Sequence, residues 1–312
     1  MTRKAVMALL VGCALAAGPV GCTSTQPVGS GPKPSVNAAM TDVATRSGRW
    51  PTGAGLLQAA FDHLDRTCLG KAGFHMPTLP RAPQPSPDNE AEVVNLSGRE
   101  HYGYGIATPR DSSTGAQGAN AYVSALSNKD KRRFIDAQFG PRAPRTAVNL
   151  HGKSTATVPA GGCVAAARRE LAGNVQTWAK IDYIPQQLDD QVSRAAEQDP
   201  SYQAALDRWR ACMTRRGYVY TSPEAAAKSM QDEHAQGATG SVFQHREIAV
   251  AVADGRCEIR THLPSEVLRI RRQHVAQLAT GDLLLLRSVT GDWESAVTRA
   301  RSTLATHTRD HK

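Results

Sequence analysis

Cysteine is the residue type whose chemistry is most informative in this chain. After the first 22 residues the cysteines are Cys68, Cys163, Cys212 and Cys257. None of them belongs to a CxxC pair and none has a histidine at zinc-finger spacing, so the sequence predicts no metal site. An even number of cysteines in an exported protein predicts two disulfides, and four cysteines allow three connectivities.

The N-terminal residues have the features of an export signal. Arg3 and Lys4 precede an apolar run over residues 5–17, which is too short to span a bilayer and predicts a signal peptide over residues 1–21. Cys22 follows small residues and is the predicted lipidation site, with Cys13 as the alternative. An ordinary secretion signal without a lipid is a further alternative. Residues 22–50 are predicted to be a flexible tether.

Two groups of side chains are candidate ligand contacts. Tyr102 and Tyr104 alternate with glycines, and such a stretch lets a backbone approach a ligand while the rings stack on it. Arg269, Arg271 and Arg272 form a basic stretch that is able to touch an anionic polymer or lipid. The chain has no Gly-x-Ser-x-Gly elbow and no HExxH motif, so the sequence predicts neither a catalytic constellation nor a cofactor.

The net charge bears on the choice of partner. The formal charge is +9, and about +7 remains once Arg3 and Lys4 are removed with the signal. A basic exported protein meets anionic wall polymers and lipid headgroups, although the same charge also serves solubility alone. Nucleic acid is not an expected partner, because the chain is exported and has no basic stripe interleaved with aromatic residues.

An internal similarity favours one disulfide connectivity. Residues 68–76 and 212–220 both read as Cys, large aliphatic, three residues, Gly, aromatic, one residue, large apolar. In both segments the cysteine is expected in the last turns of a helix that the glycine ends in a left-handed conformation. Cys163 and Cys257 each follow a glycine closely in helical sequence. Two repeated units then give the bonds Cys68–Cys163 and Cys212–Cys257, while a chance similarity is the alternative.

Apolar spacing predicts a mainly α fold that positions these residues. Helices are expected over 53–72, 119–139, 163–198 with a break at Pro185, 199–216, 222–236 and 241–263. Pro264 opens a long C-terminal helix or helical hairpin, and a Pro/Gly-rich irregular insert precedes residue 163. Two units follow, an N-terminal helical unit with irregular loops over 51–162 and a C-terminal helical unit over 163–312.

The chain resembles a group of uncharacterised actinomycete secreted proteins and lipoproteins. The resemblance is carried by the Cys22 site, the Tyr104–Ile106 segment, the Cys212–Tyr218 motif and the Ala253–Cys257 helix. It implies an extracytoplasmic location, with a lipid anchor in the cell membrane, and a disulfide-stapled helical fold, but it implies no reaction. The expected function is non-enzymatic binding of anionic wall polymer or of a membrane-protein partner. The alternative is an envelope hydrolase whose site is formed by the 74–162 loops.

Overall fold

Helices dominate the computed structural model of this chain, which describes residues 33–76, 94–107 and 120–310. The helices are α1 (Ala38–Ala44), α2 (Trp50–Lys71), α3 (Leu96–Tyr102), α4 (Asn128–Phe139), α5 (Gly162–Ala172), α6 (Val175–Glu197), α7 (Pro200–Thr214), α8 (Pro223–Ala235), α9 (Gly240–Thr261), α10 (Leu263–Val275) and α11 (Thr280–Asp310), and residues 120–125 are helical as well. Strands β1 (Arg145–Asn149) and β2 (Thr155–Pro159) form an antiparallel hairpin. The mainly α fold class is confirmed.

Most helix starts follow from local sequence. A side-chain oxygen at the N-cap accepts a backbone N–H of the first turn, which satisfies one of the donors that a helix start leaves open. The capping residues are Asn37, Asn95, Ser127, Asn174, Asp199 and Ser222.

Both predicted disulfides are present, and each joins a helix end to a later helix. Cys68 bonds Cys163 between α2 and α5, and Cys212 bonds Cys257 between α7 and α9, with Cα–Cα distances of 5.6 and 5.7 Å. Gly73 and Gly217 have φ of +90° and +83° after their helices, as the repeated motif predicts. Four cysteines paired in this way indicate an oxidising, extracytoplasmic environment.

The main core lies between α1, α2, α6 and α11. Trp50 of α2 stacks on Trp293 of α11 with ring centroids 5.1 Å apart, and Met40 and Val43 of α1 are buried in the same cluster. The predicted tether over 22–50 therefore extends too far, because burial of α1 orders its C-terminal part. The described residues from Pro34 onward form one compact unit, and the predicted boundary at 162/163 lies inside it.

Several predicted boundaries differ from the structure for identifiable reasons. The segment 141–160, which falls in the irregular insert predicted before residue 163, contains the hairpin, because Val148 and Val158 are buried on its inner side against α5 and α6. Helix α6 continues through Pro185, although proline has no backbone N–H to donate, and the apolar residues Ile184 and Leu188 of this helix are buried. The helix break lies earlier, at Gly173.

The C-terminal run is two helices rather than one. Helix α10 ends at Val275 and α11 begins at Thr280, so the run is interrupted at 276–279 and is not the single long helix that was one of the two predictions. In the part of the chain that the structure describes, no helix is both long and apolar enough to cross a bilayer.

Candidate functional site

The three arginines predicted as ligand contacts on α10 all have partners inside the protein. Arg271 donates to Asp189 of α6 and to the Thr45 carbonyl at 2.9 Å. Arg272 reaches Asp42 at 3.1 Å, and Arg269 pairs with Glu266 of its own helix at 2.8 Å. Two of these guanidinium groups therefore fasten α10 to α1 and α6, and they are not a free basic surface.

The two tyrosines predicted as ligand contacts have different environments in the structure. Tyr104 is partly buried, and its hydroxyl donates to Asp254 Oδ2 at 2.9 Å, whereas Tyr102 is 42% exposed. The backbone around them is held by Glu247, which is fully buried and accepts the N–H groups of Ile106 and Ala107 at 2.9 Å each. Segment 94–107 is thus docked on α9. The predicted lipidation sites Cys22 and Cys13 lie outside the described residues.

A buried charge network joins α3 to α9, and the sequence interpretation did not find it. Arg99 donates to Asp254 at 2.8 Å and to Glu258 at 3.1 Å, with side chains 18%, 1% and 10% exposed. Asp254 also accepts the indole N–H of Trp209 at 3.0 Å. The Asp254 carboxylate therefore has three side-chain donors, counting Tyr104, and its role is to organise the helices around it.

Burial perturbs the ionisation of this network. Burial, together with the charge of Asp254, raises the pKa of Glu258 to about 7. Burial also raises the pKa of Asp254, although Arg99 and the three hydrogen bonds oppose that change. Because the two carboxyl groups lie four residues apart on α9 and share Arg99, protonating one of them relieves the repulsion on the other.

The excess positive charge is concentrated on α4, the hairpin and the start of α5. Residues 128–170 contain nine lysines and arginines but three acidic residues, an excess of six. Residues 34–312 contain 34 basic and 28 acidic residues, which is also an excess of six. The rest of the compact unit is therefore neutral as a whole, and its net charge belongs to one region of the fold.

We call the exposed basic side chains of this region the cationic surface. Helix α4 and strand β2 each pack on α5. The outer side of the hairpin contains Arg145, whereas Val148 points to the core on the other side. Among the described residues none of the members of the cationic surface lies within salt-bridge distance of a carboxylate; they are Lys129, Arg132, Arg142, Arg145, Lys153 and Arg169.

A strained turn presents part of this surface. Arg142 and Ala143 have φ of +64° and +43°, a left-handed conformation that glycine adopts readily and other residues rarely do. The turn is closed by the Ala143 N–H donating to the Gly140 carbonyl at 2.8 Å. Strained backbone of this kind persists where the surroundings hold it and is often associated with function.

The 74–162 segment, for which a hydrolase site is the alternative prediction, contains three histidines, His75, His101 and His151. His151 at the hairpin tip contacts Asp282 at 2.7 Å, and its backbone N–H donates to Gln187 at 3.3 Å. Neither partner is a nucleophilic hydroxyl or thiol. The residues that the structure describes also hold no group of three or more His, Cys, Asp or Glu side chains arranged to bind a metal ion.

Sequence signals existed for some of the features that were missed. Four basic residues over 129–133 indicated part of the cationic surface. The sequence predicted an irregular segment, however, where the hairpin forms. The Arg99 network has no local signal, because Arg99 lies 155 and 159 residues away from Asp254 and Glu258 in the sequence. Comparison of the chain with protein-family models, with curated proteins and with solved structures gives no match.

Proposed function

We propose that this chain is exported, anchored in the cell envelope by a lipid on Cys22, and binds an anionic envelope polymer through the cationic surface without catalysing a reaction. The observation that carries this proposal is the location of the net charge: the whole excess of the compact unit lies on residues 128–170. The disulfides and the resemblance to secreted lipoproteins support the export of the protein to the cell envelope.

The physical argument rests on many weak contacts rather than on one pocket. A basic side chain near an anionic surface contributes about 1 kcal/mol, and the contribution falls off within a Debye length of about 8 Å at physiological salt. Six unpaired side chains on adjoining elements therefore bind a repeating polyanion strongly in total but reversibly. Such binding needs no enclosed cleft, which agrees with the open outer side of the hairpin.

The first test is co-sedimentation of the chain from Thr23 onward, without its lipid, with purified cell wall across a salt series. Binding is expected at low salt and is expected to weaken steeply as salt increases. Replacing Arg132, Arg142 and Arg145 by Gln should reduce the affinity on the order of 10- to 100-fold at low salt, since three contacts are lost.

A charge-matched control separates the surface from net charge. Arg194, Arg208 and Arg215 are exposed, lie outside residues 128–170 and have no acidic partner among the described residues. Replacing these three by Gln lowers the net charge equally and should change wall affinity by less than about 3-fold, since these side chains lie off the binding surface. Equal losses in both triple variants would show that overall charge, not this surface, causes binding. Failure of the unaltered chain to bind cell wall at low salt would refute the proposed polymer binding.

The strained turn gives a second matched pair. Arg142→Gly and Ala143→Gly both place glycine at a left-handed position, so each should raise stability by about 1 kcal/mol. Only Arg142→Gly removes a charge, and only this variant should bind the wall more weakly. An equal loss in Ala143→Gly would instead assign the effect to the shape of the turn.

Anchoring is tested separately. Mass spectrometry of the mature N-terminal peptide should find a lipid on Cys22, and Cys22→Ser should move the protein out of the membrane fraction. An unmodified Cys22 peptide would disprove the anchor and leave a secreted protein.

A further inference from the structure

A cleft of about 360 Å³ opens where the segment after α1 meets α3, α7, α8, α9 and α10. It is distant in sequence from residues 128–170, and none of its lining residues belongs to the cationic surface. The volume suits a small ligand, near the lower end of the range for binding pockets.

One wall of the cleft is apolar and comes mainly from the start of α10. Leu263, Pro264, Val267 and Leu268 line it, and Pro223 at the start of α8 adds to it. Leu263 and Leu268 are buried, whereas Val267 is partly exposed. This wall is suited to an aliphatic side chain of a ligand.

The remaining lining includes charged side chains, and most of their charges are already balanced. The guanidinium of Arg99 is paired with Asp254 and Glu258, and that of Arg271 is paired with Asp189. Asp254 and Asp189 lie behind the lining. A ligand with a large net charge of either sign therefore gains little from these groups.

Two exposed lining residues of opposite charge have no carboxylate or basic group within salt-bridge distance in the part of the chain that the structure describes. They are Arg46, which follows α1, and Glu224 in the first turn of α8. Arg46 nevertheless acts at longer range, since its charge opposes the rise that burial causes in the pKa of Asp182 and Asp189. Arg46 and Glu224 are both available to a ligand that has an anionic and a cationic group.

Arg46 also has a backbone conformation that its residue type disfavours. Its φ is +49°, and the following Ser47 N–H donates to the Asp42 carbonyl at 3.0 Å in the pattern that ends helices. Glycine is the usual residue at this position of the pattern. An arginine held there at a cost in stability is a pointer to function.

From this arrangement we infer that the cleft binds a zwitterionic amino acid or short peptide with an apolar side chain. The ligand carboxylate is held by Arg46, its ammonium group by Glu224, and its side chain by the wall that contains Leu263 and Val267. This site is separate from the cationic surface, so the inference does not depend on the proposed wall binding.

The test is isothermal titration calorimetry of the chain from Thr23 onward with the dipeptide Leu-Leu. The free dipeptide should bind, whereas the N-acetylated form and the C-terminal amide should each bind at least 10-fold more weakly, because each lacks one charge. Absence of binding at millimolar dipeptide, or equal binding of the blocked forms, would overturn the inference.

Matched variants separate this site from wall binding. Arg46→Gly should raise the melting temperature, because glycine tolerates the left-handed conformation, and should lower dipeptide affinity at least 10-fold without affecting wall binding. Arg142→Gly makes the same change at a left-handed arginine of the cationic surface. This variant should lower wall binding and leave dipeptide affinity unchanged. Glu224→Gln should weaken the binding of the free dipeptide but not the binding of its N-acetylated form. If Arg46→Gly left dipeptide affinity unchanged, the assignment of the carboxylate to Arg46 would be wrong.

Discussion

Replacement of Arg99 by Met is the most direct test of the network that docks segment 94–107 on α9. Met keeps much of the length and apolar volume of the arginine stem but removes its charge. Asp254 and Glu258, whose side chains are 1% and 10% exposed, then lose their cationic partner. Removing one member of a buried ion pair leaves an uncompensated charge, which generally costs about 3 to 5 kcal/mol.

The structure places the expected loss near the lower end of that range. Asp254 keeps the donors of Tyr104 and Trp209 at 2.9 and 3.0 Å, so its carboxylate is not left bare. Glu258 escapes part of the penalty by binding a proton, since its pKa is already raised to about 7 with Arg99 present. We therefore expect the free energy of unfolding to fall by about 3 kcal/mol at pH 8.

The pH dependence of this loss follows from the direction of the pKa changes. Arg99 lowers the pKa of both carboxyl groups, so its removal raises both further above their values in the unfolded chain. The folded variant then holds more protons than the unfolded one above about pH 4, and stability falls as pH rises through that window. The cost of the substitution should be small near pH 4 and largest near pH 8.

The assay is urea unfolding followed by circular dichroism at pH 4, 6 and 8, with Arg256→Met as the control. Arg256 pairs with Glu100 at 3.3 Å across the same two helices, but these side chains are 55% and 45% exposed. An exposed pair contributes about 0 to 1 kcal/mol, so the control should change little at any pH. A loss for Arg99→Met that is independent of pH, or no larger than the control, would refute the account of the network.

Three other substitutions test separate features. Replacing Cys68 and Cys163 together by Ala should cost about 5 kcal/mol on the loop-closure relation for a separation of 95 residues, measured by urea unfolding; a loss below about 1 kcal/mol would contradict it. Burial raises the pKa of Asp65 to about 6, and one of its oxygens is buried with no hydrogen-bond partner among the described residues. Asp65→Asn should therefore stabilise the protein by about 2 kcal/mol above pH 7. It should not do so below pH 4, where Asp65 is protonated in both the folded and the unfolded chain. An equal gain at both pH values would exclude the titration of Asp65 as the cause. Glu247→Gln replaces one of the two oxygens that accept the N–H groups of Ile106 and Ala107 by an amide donor and should cost about 2 kcal/mol in thermal unfolding. An unchanged melting temperature would show that these two hydrogen bonds are dispensable.

The repeated Cys–Gly–aromatic motif shows what local sequence determines well. The glycine that ends a helix and the aromatic residue that turns back onto it depend on residues within one or two turns. Phe74 and Tyr218 donate their N–H groups to Leu69 and Met213, five residues earlier, at 2.9 and 3.1 Å. For the same reason helix caps such as Asp199 and Ser222 were predictable, and the mainly α class followed from apolar periodicity.

The basic stretch on α10 shows where a pattern indicates a residue type but not its environment. Arg269, Arg271 and Arg272 were expected to face a ligand, because periodicity does not say which polar side chains meet a carboxylate on another helix. Tertiary packing determines which of these arginines are paired, since α10 lies against α1 and α6 and brings Asp42 and Asp189 within reach of Arg272 and Arg271.

By itself, the sequence determined the helical class, the export signal as a prediction, and the cysteine pairing through an internal repeat. These depend on local spacing and on composition, which require no knowledge of distant contacts. Only the tertiary structure decided that α1 is part of the core, that 141–160 forms a hairpin, and that Arg99 meets Asp254 155 residues away. Burial and charge compensation are properties of the packed chain, so the cationic surface and the cleft became visible only when the helices were brought together.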